Sequence, residues 1–127
     1  MATVSQWEEF PVGPDTAADE MHVTLSKKGE ILVGVVAFEK LGKPDTAVLL
    51  FDKVNSRIGL LPANRHASNA YPLKTKANVR YRMVRANRFC RHHGIKVDRT
   101  VAFCNAEIDG DGILVLDLRS TRGVGRG

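Results

Sequence analysis

The sequence predicts a mainly β (α+β) domain with two short helices, built from two related halves. Three observations carry this. Apolar and polar residues alternate in several short runs, the period of a strand with one buried face. Two other stretches space their apolar residues by three and four and then stop at glycine, as a helix with a C-terminal cap does. The same order of elements returns some 51 to 55 residues further on. The 127 residues fit one domain, and 43% hydrophobic with only 6% aromatic residues makes its core aliphatic.

Residues 1–21 read as an acidic, poorly ordered arm. Pro11-Val12-Gly13-Pro14 forbids helix and disfavours a central strand, while Trp7 and Phe10 are large enough to pin the arm to the body. A strand over 22–26 places Val23 and Leu25 on one face. Lys27-Lys28-Gly29 then turns the chain into a second strand over 30–33. Val35, Val36, Phe38 and Leu41 have helical spacing and end at Gly42, with Pro44 just beyond. A strand over 47–52, a turn at Asn55 and Ser56, and a returning strand over 57–61 complete the first half, 22–62. Residues 63–77, with Asn, Ser, His and Pro72, read as a connector.

The second half, 78–118, repeats the pattern. Residues 79–84 alternate as a strand. Ala86, Phe89, Cys90 and His93 fall on one helical stripe that stops at Gly94. Residues 100–105 form a strand, Asp109-Gly110-Asp111-Gly112 a tight turn, and 113–118 the returning strand. Ile31-Leu32-Val33 aligns with Arg82-Met83-Val84, Phe38 with Phe89, Gly42 with Gly94, Val48 and Leu50 with Val101 and Phe103, and Ile58 and Leu60 with Ile113 and Val115. A unit of about 45 residues buries its apolar face poorly alone, so the two strand-helix-strand-strand halves are expected to share one core. Residues 120–127, with three glycines and two arginines, read as a flexible basic tail.

Gly29-Glu30-Ile31-Leu32-Val33, the helix ending Lys40-Leu41-Gly42-Lys43-Pro44, and the strands 48–52 and 57–62 resemble the AbrB/MazE/SpoVT swapped-hairpin family. Their repetition in one chain is similar to the internally duplicated MraZ-like arrangement. The resemblance implies two pseudo-symmetric halves in one swapped-hairpin AbrB-like barrel over 22–119, a homo-oligomer, and DNA binding of the kind transcriptional regulators show. The basic residues of this chain that match the family's DNA-contacting region are Lys27, Lys28, Arg80, Arg82 and Arg85. Glu30 stands where the family usually has a basic residue, Gly34 and Val35 occupy the region of its helix-opening proline, and Arg80 matches the position of Gly29.

Charge gives a reading independent of the resemblance. The chain carries a net +5, but residues 1–22 hold five acids and no Lys or Arg, while residues 74–99 hold nine basic residues against Asp98 alone. Such clustering creates a local positive potential that attracts polyanions. With Ala86, Phe89, Cys90 and His93 turned inward, Arg85, Arg88, Arg91 and His92 must point elsewhere. On the preceding strand Arg80 and Arg82 share one face. Arginine's fork suits phosphates and guanine edges, so nucleic acid, with DNA favoured, is one expected partner. An acidic protein gripped by the same face is the other.

No cofactor, metal or catalytic site is expected. Cys90, His92, His93 and Cys104 lack the paired short spacings of a structural zinc site. Asp109 and Asp111 explain themselves as turn residues, Glu107 and Asp117 flank that turn, and no nucleophile elbow, phosphate-binding glycine loop or metalloprotease helix occurs. The chain therefore reads as non-enzymatic. No apolar run approaches the roughly 20 residues that span a bilayer. Residues 1–20 lack the basic and apolar regions of a secretory signal, and two cysteines are too few for a disulfide framework, so a cytoplasmic location is expected.

Overall fold

The computed structural model describes residues 21–63, 69–75 and 81–124. Its first element is a hairpin of β1 (Val23–Leu25) and β2 (Glu30–Val33), in which Val23 pairs with Val33 and Leu25 with Ile31. Gly29 closes the turn at φ +86°, and the Ser26 hydroxyl accepts the Glu30 N–H at 3.1 Å. Helix α1 (Val35–Lys40) follows; six residues are too few to hold a helix alone, and the burial of Ala37 with Phe38 and Leu41 packed beside it supplies the support. Gly42, at φ +91°, ends it as the sequence predicts. β3 (Thr46–Asp52) and β4 (Arg57–Ala63) then pair along their whole length, from Thr46 opposite Ala63 to Asp52 opposite Arg57.

The remaining elements are β5 (Ala70–Pro72), β6 (Lys74–Thr75), β7 (Arg82–Arg85), α2 (Asn87–His93), β8 (Val101–Phe103), β9 (Glu107–Ile108), β10 (Leu114–Asp117) and β11 (Thr121–Gly123). The strands form two antiparallel sheets, one in the order β11-β8-β1-β2-β7-β6 and the other β5-β3-β4-β10-β9. The fold is thus mainly β, with two short helices. Ile31, Val33 and Val84 of the first sheet and Ile58, Leu60 and Leu114 of the second lie fully buried in one core. Side chains of this size each contribute about 1.5–3 kcal/mol when buried.

Each sheet joins the early and the late part of the chain. In the six-stranded sheet β2 lies beside β7, with Leu32 opposite Met83, the two positions that align in sequence. In the five-stranded sheet β4 lies beside β10, with Leu60 opposite Leu114 and Gly59 opposite Val115. Outward from β7 lies β6, as β1 lies outward from β2.

Several expectations need correction. Residues 63–77 are not simply a connector, because β5 and β6 lie there. Both are edge strands of two or three residues, and Pro72 is tolerated because an edge strand need not donate on both sides. The segment 120–127 is not wholly a flexible tail: β11 pairs with β8, Thr121 opposite Phe103. The alignment of Val48 and Leu50 with Val101 and Phe103 fails, since β3 and β8 belong to different sheets. β8 runs beside β1, burying Ala102 and Phe103, and the short β9 takes its place as the hairpin partner of β10. The strands make two ladders; among the described residues no hydrogen-bonded pairing closes them into one barrel. The predicted arm over 1–20 lies outside the described residues.

Two glycines separate backbone strain from close packing. Gly94 ends α2 at φ +68° with open space where a Cβ would stand, whereas a Cβ on Gly29 would meet the Asn87 Cα at 2.7 Å. Gly94→Ala is expected to cost about 1–2 kcal/mol from its left-handed backbone alone. Gly29→Ala adds a collision with backbone and is expected to cost about 3 kcal/mol or more. Urea denaturation checks this; equal losses would show that the β1–β2 turn is not wedged against α2.

Candidate nucleic-acid interface

The basic surface is built around α2. Ala86, Phe89 and Cys90 are buried, so the helix presents Arg88, Arg91 and His92 to solvent. His93, placed by its spacing on the inward stripe, is instead exposed at the helix end, with its ring 4.7 Å from those of Phe51 and Phe89. No acid lies in the first turn, and Arg91, His92 and His93 occupy the last, where cations interact favourably with the helix carbonyl end. The Cys90 carbonyl accepts the Ile95 N–H at 2.8 Å and turns the chain toward Lys96.

The β1–β2 turn completes the surface. Gly29 lets the turn approach Asn87 closely, and the Ala86 N–H donates to the Gly29 carbonyl at 2.9 Å. Exposed Lys27 and Lys28 are thereby set beside the helix. A groove of about 200 Å³ lies between turn and helix, with Lys27, Lys28, Arg91 and Lys96 on its walls and the nearly buried Leu25 and Cys90 beneath. Among the described residues no Asp or Glu lines it. Arg88, Arg91 and His92 border a second, shallower depression with Tyr71 on the other flank of the helix.

The predicted site residues therefore divide. Lys27, Lys28, Arg88 and Arg91 come together. Arg85 is exposed at the end of β7, but it stands opposite Glu30 in register, so part of its charge is offset. Arg82 is not available in the way its sequence position suggests. It shares the face of fully buried Val84, and its guanidinium lies 4.4 Å from the Phe38 ring centroid as a half-buried cation–π contact. Arg80 lies outside the described residues. Lys96 was missed because it falls beyond the Gly94 helix stop. Its only sequence signal is membership of the basic segment 74–99.

Other candidate chemistry is accounted for locally. Burial pushes the Cys90 thiol above its ordinary range, which keeps it neutral, while Cys104 is exposed and its N–H donates to the Ser120 carbonyl. Among the described residues no three His, Cys, Asp or Glu side chains gather as a metal site, and no helix is long and apolar enough to cross a membrane. The Asp109 carboxylate accepts the N–H groups of Asp111 and Ile113 at 2.9 and 3.0 Å, which fixes the β9–β10 turn. Asp52 is held well below the usual carboxylate range by the Asn55 side-chain amide and then by Arg57, whose Nη2 lies 2.7 Å away. It clamps the β3–β4 turn in this way.

Comparison with known proteins finds no matching family model, curated protein or solved structure.

His93 links the ridge to stability. Partial desolvation against the neighbouring rings, then the positive potential of His92 and Lys53, lower its pKa below the ordinary 6.5. The unfolded chain therefore takes up this proton at a higher pH than the folded one. Stability is expected to fall as pH drops from about 7.5 through the histidine range. His93→Gln is expected to flatten that loss in urea melts at pH 7.5 and 5.5; an unchanged slope would contradict the assignment.

Proposed function

We propose that this chain is a non-enzymatic DNA-binding protein of the AbrB/MraZ type, a candidate transcriptional regulator, that grips the phosphate backbone with the α2 ridge and the β1–β2 turn. The observation that carries this reading is the groove flanked by Lys27, Lys28, Arg91 and Lys96 and, among the described residues, lined by no acid. Four cations around one groove, with Arg88 exposed alongside, suit a polyanion with regularly spaced charges better than a single small anion. In this reading the β1–β2 and β6–β7 hairpins, side by side about the β2–β7 pair, are the duplicated halves of a swapped-hairpin fold. Assembly into a homo-oligomer in the cytoplasm belongs to the same proposal.

A second reading is a non-enzymatic interaction module whose basic face grips an acidic protein, with the outward face of the five-stranded sheet adding apolar contact. Val48, Leu50, Leu61 and Val115 there are at least partly exposed, a pattern that suits protein association.

A titration of random-sequence duplex DNA, read by fluorescence anisotropy, separates the two. With about four phosphates neutralised, affinity is expected to fall roughly 100-fold between 50 and 200 mM salt. Arg88→Glu/Arg91→Glu is expected to weaken binding more than about tenfold with little change in the urea midpoint, since both side chains are exposed. Arg82→Glu is expected to lower stability as well, because it loses the Phe38 contact. No binding at low salt, or full binding by the double variant, would overturn the DNA reading and favour the protein partner.

A further inference from the structure

The ridge is a strongly charged surface that the described part of the chain leaves uncompensated. The Arg57–Asp52 ion pair, 2.7 Å long, is the one found among the described residues, and it lies in the β3–β4 hairpin. Lys27, Lys28, Arg88, Arg91 and Lys96 have no carboxylate within 4.0 Å there. Opposite charge in quantity stands at the other end of the same chain. Residues 1–20 carry Glu8, Glu9, Asp15, Asp19 and Glu20 and no Lys or Arg. No other stretch of that length is purely acidic.

Tethering makes this complementarity effective. The acidic stretch joins the body at Met21, which packs against the core, and the chain passes directly through β1 to Lys27 and Lys28. From His22 to Ser26 an extended strand covers only about 13 Å. A random coil of 20 residues spans roughly 25 Å and a fully extended one about 70 Å, so the acids of the stretch reach the groove in either state without straining the tether. A segment held at that range acts at an effective concentration of about a millimolar, enough for weak, screened charge contacts to compete with an external ligand.

We propose that residues 1–20 form a tethered acidic competitor that occupies the basic ridge, so that a polyanion must displace it to bind. The consequence for DNA rests on the function proposed above; the contact between arm and ridge does not. Occupancy of the ridge in about nine molecules of ten would lower apparent affinity about tenfold, because only the open fraction binds.

Trp7 is the one tryptophan of the chain and lies in the acidic stretch, so it reports on the arm directly. The experiment uses full-length protein in three forms: unaltered, arm-neutralised (E8Q/E9Q/D15N/D19N/E20Q) and ridge-reversed (Arg88→Glu/Arg91→Glu). Far-UV circular dichroism confirms that each is folded. Trp7 anisotropy and affinity for a random-sequence 20-base-pair duplex are measured at low salt. The proposal expects Trp7 anisotropy to fall in both variants and on addition of salt, and the arm-neutralised protein to bind duplex about tenfold more tightly than the unaltered one. Trp7 anisotropy indifferent to both variants, with equal duplex affinity for unaltered and neutralised protein, would overturn the competitor while leaving DNA binding intact. A Trp7 response without duplex binding by any form would uphold the arm–ridge contact and reject the DNA function.

Discussion

The antiparallel contact between β2 and β7 is the constraint on which the rest of this structure depends. It sets Ile31 opposite Val84 and Leu32 opposite Met83, joining segments some fifty residues apart. Ile31, Val33 and Val84 are fully buried, so a slip of one residue would turn their apolar faces to solvent and bring Leu32 and Met83 inward. The same contact brings together the cations of the proposed interface. β7 leads directly into α2, and β2 begins at the β1–β2 turn, so pairing the strands places the turn against the helix. The hydrogen bond from Ala86 to Gly29 and the absence of a Cβ at Gly29 fix that approach.

Placing this many cations together has an electrostatic cost. Lys27, Lys28, Arg88, Arg91 and Lys96 repel one another, and the fold tolerates this by keeping the side chains in solvent, where like-charge energies are small and screened. The carbonyl end of α2 favours Arg91 and His92, and Glu30 moderates Arg85. An anion bound here would relieve the remaining repulsion and so stabilise the folded chain. Buried Phe89 and Cys90 supply the packing that holds the ridge in shape, and neither depends on the charge outside.

What was legible in the sequence follows from which signals are local. Alternation placed Val23 and Leu25 correctly, and Gly42 and Gly94 marked both helix ends. The inward stripe of α2 was readable from Ala86, Phe89 and Cys90, and with it the outward Arg88 and Arg91. Sheet membership was not local. β8 alternates like a hairpin strand, yet Phe103 finds its cover beside β1 and β11 rather than beside β10. β5 and β6 are too short for a period to show, and their pairing is imposed by the neighbours they flank. Arg82 looked like a surface cation because nothing in its own segment discloses Phe38, which arrives from the other half. Lys96 enters the groove only through the reversal at Gly94. The homologous-looking order of elements was therefore a sound guide to the β2–β7 register and a poor one elsewhere: in β10 it is Leu114 and Leu116, not the aligned Ile113 and Val115, that share the buried face of Ile58 and Leu60.

The β1–β2 turn and α2, from the two halves of the chain, are proposed to form one anion-binding surface. Amide chemical-shift mapping of the full chain, titrated with random-sequence duplex DNA at low salt, tests it most directly. Amides of residues 26–29 and 87–97 are expected to shift together, with a single midpoint and a common loss of response as salt is raised. Shifts confined to the five-stranded sheet, or separate midpoints for the turn and the helix, would contradict it.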